Sequence, residues 1–203
     1  MKKTAVLYVH GRGGSGAECE HYRPLFPGCE VFGLDYKAQV PWEAGAEIRK
    51  AAEGLRAGHE GLILAANSIG AFFTMNSGAD ALIREAFFIS PIVDMEGLIL
   101  RMMAMANVTE AELRDRGVIP TDFGEELSWE YLSWVRQHPA VWTAPTHILY
   151  GSCDNLTPFE DIRSFAERHG ADLAVMEGGE HWFHTAEQLR FLDDWIKNTG
   201  VVK

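Results

Sequence analysis

Ala66-Asn67-Ser68-Ile69-Gly70 is the stretch of this sequence that decides its fold. One apolar run, residues 61–65, precedes it, and a second, residues 71–75, follows it. This pattern predicts a strand, a tight turn that holds one serine, and a helix that leaves from the turn. In such a turn the serine backbone is strained, so that its hydroxyl stands clear of the sheet. The positions two before and two after the serine are crowded, and here they hold the small residues alanine and glycine.

The pentapeptide alone leaves two interpretations of Ser68 open. Serine is a common helix N-cap, so the residue could serve only to start a helix. If Ser68 is instead a nucleophile, its hydroxyl needs a neighbouring base to take its proton. A histidine and a carboxylate are then expected at the carboxyl ends of other strands.

Short apolar runs alternate with amphipathic segments along most of the chain, which predicts an α/β fold with a mainly parallel sheet. Six strands are expected, at Ala5–Val9, Glu30–Leu34, Leu62–Ala66, Glu85–Ile89, Thr146–Tyr150 and Asp172–Met176. Helices are expected at Ala17–Leu25, Trp42–Ala57, Ile69–Asn76, Phe159–His169 and Ala186–Lys197. Capping boxes mark three helix starts: Thr157 with Glu160, Thr185 with Gln188, and Thr109 with Glu112.

The alternation breaks once, at residues 94–142, where no strand pattern is found and helices are expected at Met95–Ala106, Thr109–Arg116 and Ser128–Gln137. Four of the chain's 7 methionines and several aromatic residues fall in this segment: Met95, Met102, Met103, Met105, Trp129, Tyr131, Trp134 and Trp142. We interpret it as a helical cap or lid inserted in a single domain that spans residues 1–203. The methionines and aromatic residues of this segment have two interpretations. One is ordinary packing of its helices onto the sheet, and the other is the lining of an acyl pocket beneath a lid.

Composition narrows the class of protein. A chain of 203 residues, 47% of them hydrophobic, suits one globular domain with a sizeable core. The 29 acidic and 18 basic residues give a net charge of −11, which disfavours nucleic acid or an anionic membrane as partner. The 3 scattered cysteines argue for a reducing compartment, hence a cytoplasmic location. The N-terminal apolar run is too short for a signal peptide, and no stretch approaches the ~20 apolar residues of a membrane span. The sequence does not decide whether the protein forms a homodimer.

Candidate partners for Ser68 follow the fifth and sixth predicted strands. Asp154 lies in the loop of residues 151–158, and His181 lies in the loop of residues 177–184. The carboxyl ends of parallel strands meet at one edge of a sheet, so these side chains are expected to converge. Ser68 would attack, His181 would act as base, and Asp154 would orient the imidazole.

A glycine-rich loop, His10-Gly11-Arg12-Gly13-Gly14, follows the first predicted strand. Its glycines let the backbone approach a substrate and turn amides inward. The amides of Arg12 and Ile69 are therefore expected to form an oxyanion hole. His10 is expected to hold the loop through hydrogen bonds and to transfer no proton.

Other interpretations of these residues stay open. His184 is an alternative base. The spacing of His181 and His184, with two glutamates nearby (Glu180 and Glu187), also matches a metal site, although the triad explains His181 without a metal. Asp94, just after the fourth strand, rivals Asp154 as the acid. Asp35 is expected to be a structural turn residue, and Cys153 a partly buried apolar one.

Together the four motifs resemble the α/β-hydrolase superfamily, and within it the small carboxylesterases and lysophospholipase-like serine hydrolases. They are the glycine-rich loop, the Ser68 turn, the loop from Gly151 to Pro158, and Gly178-Gly179-Glu180-His181. The chain order serine, aspartate, histidine is that of the family. Ala66 departs from it by replacing the first glycine of the turn, and Arg12 stands where an apolar residue or glycine is common.

The resemblance implies a three-layer α/β/α sandwich with strand order 2-1-3-4-5-6, in which a crevice opens between strands one and three. It also implies a serine hydrolase that cleaves an ester of a small or medium acyl substrate through an acyl-enzyme, with no cofactor or metal. Thioester hydrolysis, acyl transfer or lyase chemistry on the same triad, and a binding protein without catalysis, are the alternatives.

Overall fold

The computed structural model describes residues 2–199. It divides into a larger unit, which takes in the chain up to Val93 and again from Val141, and a smaller unit, Asp94–Ala140. The ends of the predicted domain, Met1 and residues 200–203, lie outside the described residues. The interpretation of residues 94–142 as a lid stays a prediction.

The larger unit is built on a six-stranded parallel sheet. The strands of the described chain, in sequence order, are β1 (Thr4–Val9), β2 (Glu30–Leu34), β3 (Gly61–Asn67), β4 (Glu85–Ile89), β5 (Val118–Pro120), β6 (Glu126–Ser128), β7 (Thr146–Gly151) and β8 (Asp172–Met176). The large sheet has the order β2-β1-β3-β4-β7-β8, and every neighbouring pair is parallel. Counted within this sheet, the order is 2-1-3-4-5-6, which confirms the expectation.

The central strands are apolar because helices cover both faces of the sheet. All six residues of β1 are buried, as are the first six of β3. The helices are α1 (Cys19–Tyr22), α2 (Pro41–Gly58), α3 (Ile69–Met75), α4 (Met95–Met105), α5 (Glu110–Arg116), α6 (Trp129–Gln137), α7 (Phe159–His169) and α8 (Ala186–Asn198).

Each face of the sheet has its own helices. On one face, residues of α1 and α8 such as Tyr22 and Leu192 join a core cluster with Tyr8, Ile63 and Phe87 from the strands. On the other face, α2 and α3 pack against each other and against β1 and β3. Helix α7 packs against β7 and β8. The result is a three-layer sandwich, as predicted.

The first predicted helix, Ala17–Leu25, is wrong as a single α-helix. Short 3₁₀ segments at Gly16–Glu18 and Arg23–Leu25 flank α1, which is only four residues long. Pro24 explains the end of α1, because proline has no N–H and its ring clashes with the carbonyl four residues earlier.

Two of the predicted capping boxes are confirmed and one is wrong, although α7 spans Phe159–His169 as predicted. Thr185 and Thr109 each form a reciprocal capping box, with Gln188 and Glu112. Helix α7, however, has Pro158 as its N-cap and no side-chain cap bond. The predicted cap Thr157 belongs to the preceding loop, where its carbonyl accepts from the Tyr150 hydroxyl at 2.9 Å.

The smaller unit holds α4, α5 and α6 together with a hairpin that the sequence did not predict. Strands β5 and β6 pair antiparallel across a turn in which Gly124 has a φ of 84°. The expectation of an insertion without strands is therefore wrong. The guanidinium of Arg136 on α6 donates to Glu96 on α4 and to both carboxylate oxygens of Glu110 on α5, which joins the three helices.

Two general features bear on the predicted class. Within residues 2–199, no helix has both the length and the apolar character that crossing a membrane requires. Cys19, Cys29 and Cys153 are all free thiols.

Candidate active site

Ser68 occupies the tight turn between β3 and α3. Its φ of 53° and ψ of −120° lie outside the ordinary regions for a residue with a side chain, and holding them costs about 1–3 kcal/mol. Hydrogen bonds on both sides impose this conformation. The Ser68 N–H donates to the Ile89 carbonyl at 2.9 Å, and the Ser68 carbonyl accepts from the Ile92 N–H at 3.2 Å. The strand, turn and helix are those the sequence predicts.

The residues packed around Ser68 are small because the backbone of β1 and of the glycine-rich loop passes close to the serine turn. A Cβ on Gly70 would lie 2.4 Å from the His10 carbonyl oxygen and 2.7 Å from that of Val9. A Cβ on Gly11 would lie 3.2 Å from the Ser68 Cβ. Ala66, which departs from the family's glycine, is fully buried. The glycine-rich loop and the serine turn therefore lie against each other.

The structure brings together the three residues that the sequence proposed. The Ser68 hydroxyl oxygen lies 2.8 Å from His181 Nε2, and His181 Nδ1 lies 2.7 Å from Asp154 Oδ2. A carboxylate can only accept, so Nδ1 carries the proton and Nε2 is left as the acceptor for the serine hydroxyl. This is the tautomer in which an imidazole can take a proton from Ser68.

Asp154 is held in place as a hydrogen-bond acceptor by its own loop. Its side chain is completely buried, and its second oxygen, Oδ1, accepts from the amides of Leu156 at 2.8 Å and Thr157 at 3.0 Å. A hydrogen bond joins the Asp154 loop to the loop that carries His181: the Cys153 N–H donates to the Gly179 carbonyl at 2.7 Å. A Cβ on Gly151 would lie 2.4 Å from that same carbonyl. Gly151 therefore allows the two loops to meet.

The rival candidates have other partners. Asp94 caps α4 by accepting from the Gly97 amide at 2.9 Å, and it is Asp154 that bonds to His181. The Nδ1 of His184 hydrogen-bonds to the Trp182 carbonyl at 2.7 Å. Asp35 accepts from the Gly16 amide at 3.3 Å, which fits a structural role.

Two further site expectations can be compared with the structure. Cys153 is exposed, so its interpretation as a partly buried apolar residue is wrong: its loop turns it outward beside the buried Asp154. Across residues 2–199, no group of three or more histidine, cysteine, aspartate or glutamate side chains is arranged to hold a metal ion. His181 and His184 form no such group with Glu180 and Glu187.

The glycine-rich loop is anchored by His10. Its Nδ1 lies 2.7 Å from the Gly11 carbonyl oxygen and therefore donates to it, and the Gly14 N–H donates to the same oxygen at 3.2 Å. The His10 ring also stacks on Tyr36, with centroids 4.2 Å apart. In a trans peptide the C=O and the next N–H point in opposite directions. With the Gly11 carbonyl held on one side, the Arg12 N–H points to the other.

A cavity of about 440 Å³ opens beside Ser68 and His181. The rest of its wall comes from the glycine-rich loop and four residues that sequence reasoning did not assign to the site: Glu18, Asn67, Leu156 and Trp182. One signal for Glu18 was available, since Ser15 and Glu18 have the capping-box spacing and do form that box. Leu156 and Trp182 are the large apolar residues of the wall, and the other residues that line it are polar or glycine.

No protein-family model and no curated protein matches this sequence. Solved structures do resemble its fold. Est1E from Butyrivibrio proteoclasticus superposes with a TM-score of 0.73 at 16% identity, over 98% of this chain and 87% of that one. Alpha/beta hydrolase domain-containing protein 10 from mouse gives 0.71 at 17% identity, over 96% and 88% of the two chains.

A monoacylglycerol lipase from Paleococcus ferrophilus gives a TM-score of 0.64 at 17% identity, over 95% of this chain and 93% of that one. At such identities the likeness bears on the fold, and it covers nearly the whole chain in each case. The sheet order, the strained serine after β3 and these superpositions agree: the chain has the α/β-hydrolase fold.

Proposed function

We propose that this protein is a serine hydrolase that cleaves an ester of a small or medium acyl substrate. The single observation that carries the proposal is the pair of hydrogen bonds that links Ser68, His181 and Asp154, at 2.8 and 2.7 Å. A hydroxyl becomes an effective nucleophile when a base of the correct tautomer lies within hydrogen-bonding distance. The strained backbone of Ser68 supports the same proposal, since such strain is typical of functional sites.

In the proposed reaction, the Ser68 oxygen attacks the ester carbonyl while His181 Nε2 takes the serine proton. The resulting imidazolium is stabilised by Asp154, whose charge is held in place by two backbone amides. The tetrahedral intermediate collapses when His181 gives its proton to the leaving alcohol, which yields the acyl-enzyme. Water, deprotonated by His181, then releases the acid.

We propose that the amides of Arg12 and Ile69 hold the oxyanion. The orientation of the Arg12 N–H follows from the bonds that hold the Gly11 carbonyl. Ile69 is the first residue of α3, and the first N–H groups of a helix have no acceptor within it. One such donor is typically worth about 10²–10³ in rate. His10 acts on this step only through the loop, as a positioning residue.

The proposal is tested by Ser68→Ala on p-nitrophenyl acetate and butyrate. We expect kcat to fall by at least ~10⁴, because the nucleophile is lost while the fold is kept. Ser164→Ala is the control: it removes a serine hydroxyl from α7, outside the triad and the cavity wall, and should retain wild-type turnover. Turnover by Ser68→Ala close to the wild-type rate would contradict the proposal.

Labelling with a fluorophosphonate probe separates catalysis from mere binding. An activated serine forms a covalent adduct, so we expect one adduct on Ser68 in the folded protein and none in Ser68→Ala. A folded protein without that adduct would favour a binding protein of this fold.

An ester is favoured because solved structures named as an esterase and as a monoacylglycerol lipase resemble this fold, although one named as a thioesterase domain resembles it too. The same triad would also cleave a thioester, since the tetrahedral step is unchanged. Oxygen esters and acyl-thioesters of matched chain length, compared by kcat/KM, distinguish the two substrate classes. Adding an acceptor alcohol to the same assay detects acyl transfer.

A further inference from the structure

Glu18 is an acidic residue in the wall of the cavity that also contains Ser68 and His181. The triad and the oxyanion loop do not need it for the reaction described above. Its capping box with Ser15 starts only a three-residue 3₁₀ segment. A carboxylate in the same cavity wall as the proposed nucleophile is a candidate for substrate recognition.

The carboxylate is held in place from the core side. The Tyr8 hydroxyl donates to Glu18 Oε2 at 2.5 Å, and the Ser15 N–H donates to Oε1 at 3.0 Å. Tyr8 is itself immobile, because it is 1% exposed on β1 and stacks on Tyr22 with centroids 4.7 Å apart. Glu18 is therefore preorganised in a way that most surface carboxylates are not, which lowers the cost of ordering it on binding.

Neither of these two hydrogen bonds brings a positive charge to the carboxylate. Both donors are neutral, and each carboxylate oxygen keeps a further acceptor site. The charge acts on nearby groups: burial, and after it the charge of Glu18, raises the pKa of the Tyr36 phenol above its ordinary value. Glu18 thus brings a carboxylate in a fixed position to the cavity wall.

An aromatic face completes this wall. Trp182, directly after His181, is 69% exposed, and its ring stacks on His184 with centroids 4.5 Å apart. The indole is the most favourable aromatic partner for a cation. A carboxylate and an indole in one cavity are complementary to a positively charged ligand.

We propose that Glu18, with Trp182, selects esters that carry a cationic group near the scissile bond. This inference rests on the proposed function and specifies its substrate class. A charge-assisted hydrogen bond in a partly enclosed site is worth about tenfold or more in binding. The cation could lie on the acyl or on the alcohol side of the ester, and the two arms of the test distinguish them.

The test compares matched charged and neutral esters, with acid release followed in a pH-stat. The acyl arm is β-alanine methyl ester against methyl butyrate. The alcohol arm is acetylcholine against 3,3-dimethylbutyl acetate. We expect wild-type kcat/KM to favour the charged member of at least one pair, and Glu18→Gln to reduce that ratio about tenfold. The ratio compares two substrates on one preparation, so it does not depend on how much of a variant is folded.

Glu20→Gln is the matched control. It removes the same unit of charge from α1, but Glu20 pairs with Arg23 at 2.7 Å and does not line the cavity. We expect it to leave the ratio unchanged. An equal fall in both variants would show a long-range effect of net charge, and an unchanged ratio in Glu18→Gln would exclude recognition by that carboxylate. Either result overturns the inference.

Arg12 also lines the cavity and makes an interaction of its own. Monomethyl succinate therefore tests the opposite charge, and a wild-type preference for it over methyl butyrate also overturns the inference. Failure of the proposed function is recognised separately. If Ser68 forms no fluorophosphonate adduct and no ester is cleaved, the hydrolase proposal fails; if neutral esters are cleaved without charge preference, only the role of Glu18 fails.

Discussion

Gly70 is the residue at which the strained serine turn meets the first strand. The backbone carbonyls of β1 and of His10 leave no room for a side chain there, and neither can retreat without disturbing the sheet or the glycine-rich loop. A substitution at this position therefore tests how tightly the turn is constrained.

We expect Gly70→Ala to destabilise the fold by about 3 kcal/mol, at the upper end of the usual cost of overpacking, since its Cβ would lie 2.4 Å from a carbonyl oxygen. Gly54→Ala is the control. Gly54 is an exposed residue of α2 with nothing within 4 Å of an added Cβ, so alanine should stabilise by about 0.5–1 kcal/mol. Urea unfolding of both variants measures the difference. Equal stabilities would contradict the packing seen at Gly70.

The residues of the candidate triad could be predicted from sequence, because they are recognised by residue type and by their order along the chain. Ser68, Asp154 and His181 were found because each follows a strand in a parallel sheet. The link between Tyr8 and Glu18 could not be predicted, because no rule of spacing joins a strand residue to a short helical segment ten positions later. The exposure of Cys153 likewise depends on how its loop turns.

At the scale of elements, some helix caps could be predicted from local sequence and others depend on tertiary contacts. Thr185 precedes its helix directly, so local sequence was sufficient to predict its cap. Thr157 has the same pattern, but the tertiary bonds of the Asp154 loop engage its backbone on both sides. The local preference for a threonine cap is overridden there, and Pro158 takes the N-cap position of α7.

Thr→Val substitutions test this difference between the two helix starts. Thr185→Val removes a hydroxyl that accepts from the Gln188 amide at 3.2 Å, so we expect a loss of about 1 kcal/mol in the free energy of unfolding. Thr157→Val keeps the shape of a buried residue whose hydroxyl caps no helix, and we expect a change within about 0.5 kcal/mol. Thermal unfolding compares the two. A larger loss in Thr157→Val would indicate that its hydroxyl has a role the helix start does not reveal.

The hairpin in the smaller unit was missed because its strands are short. β5 and β6 have three residues each, too few to show an alternation of polar and apolar positions. Their pairing is defined by partners across the turn, such as Ile119 with Leu127, and not by the pattern within either strand. The six longer strands of the main sheet were predicted to within one residue at each end.

At the scale of the whole molecule, the strand order came from resemblance and not from periodicity. Apolar runs predict strands, but nothing in a run says which neighbour it will have. The four motifs supplied the order of the strands, because in the superfamily that they resemble, the glycine-rich loop and the serine turn follow adjacent strands. The observed pairing of β1 with β3 agrees.

The chain leaves the larger unit close to the serine turn. The Ile92 N–H bonds to the Ser68 carbonyl at 3.2 Å, and residue 94 begins the smaller unit. That residues 94–142 form a lid which lines an acyl pocket remains a proposal made from sequence. The larger unit holds all six strands of the main sheet, so its core does not depend on strands from the smaller one.

Replacing residues 94–140 with a glycine- and serine-rich linker tests the lid. β4 and β7 are parallel neighbours, so the linker must be a crossover of about a dozen residues. If the segment buries acyl chains, each added methylene of the substrate is worth up to about 0.8 kcal/mol, or roughly fourfold in kcat/KM. We expect the replacement to flatten this rise from acetate to octanoate p-nitrophenyl esters while hydrolysis of acetate persists. Cooperative thermal unfolding verifies that the variant is folded, and a folded variant with the wild-type chain-length profile would show that the acyl chain is bound elsewhere.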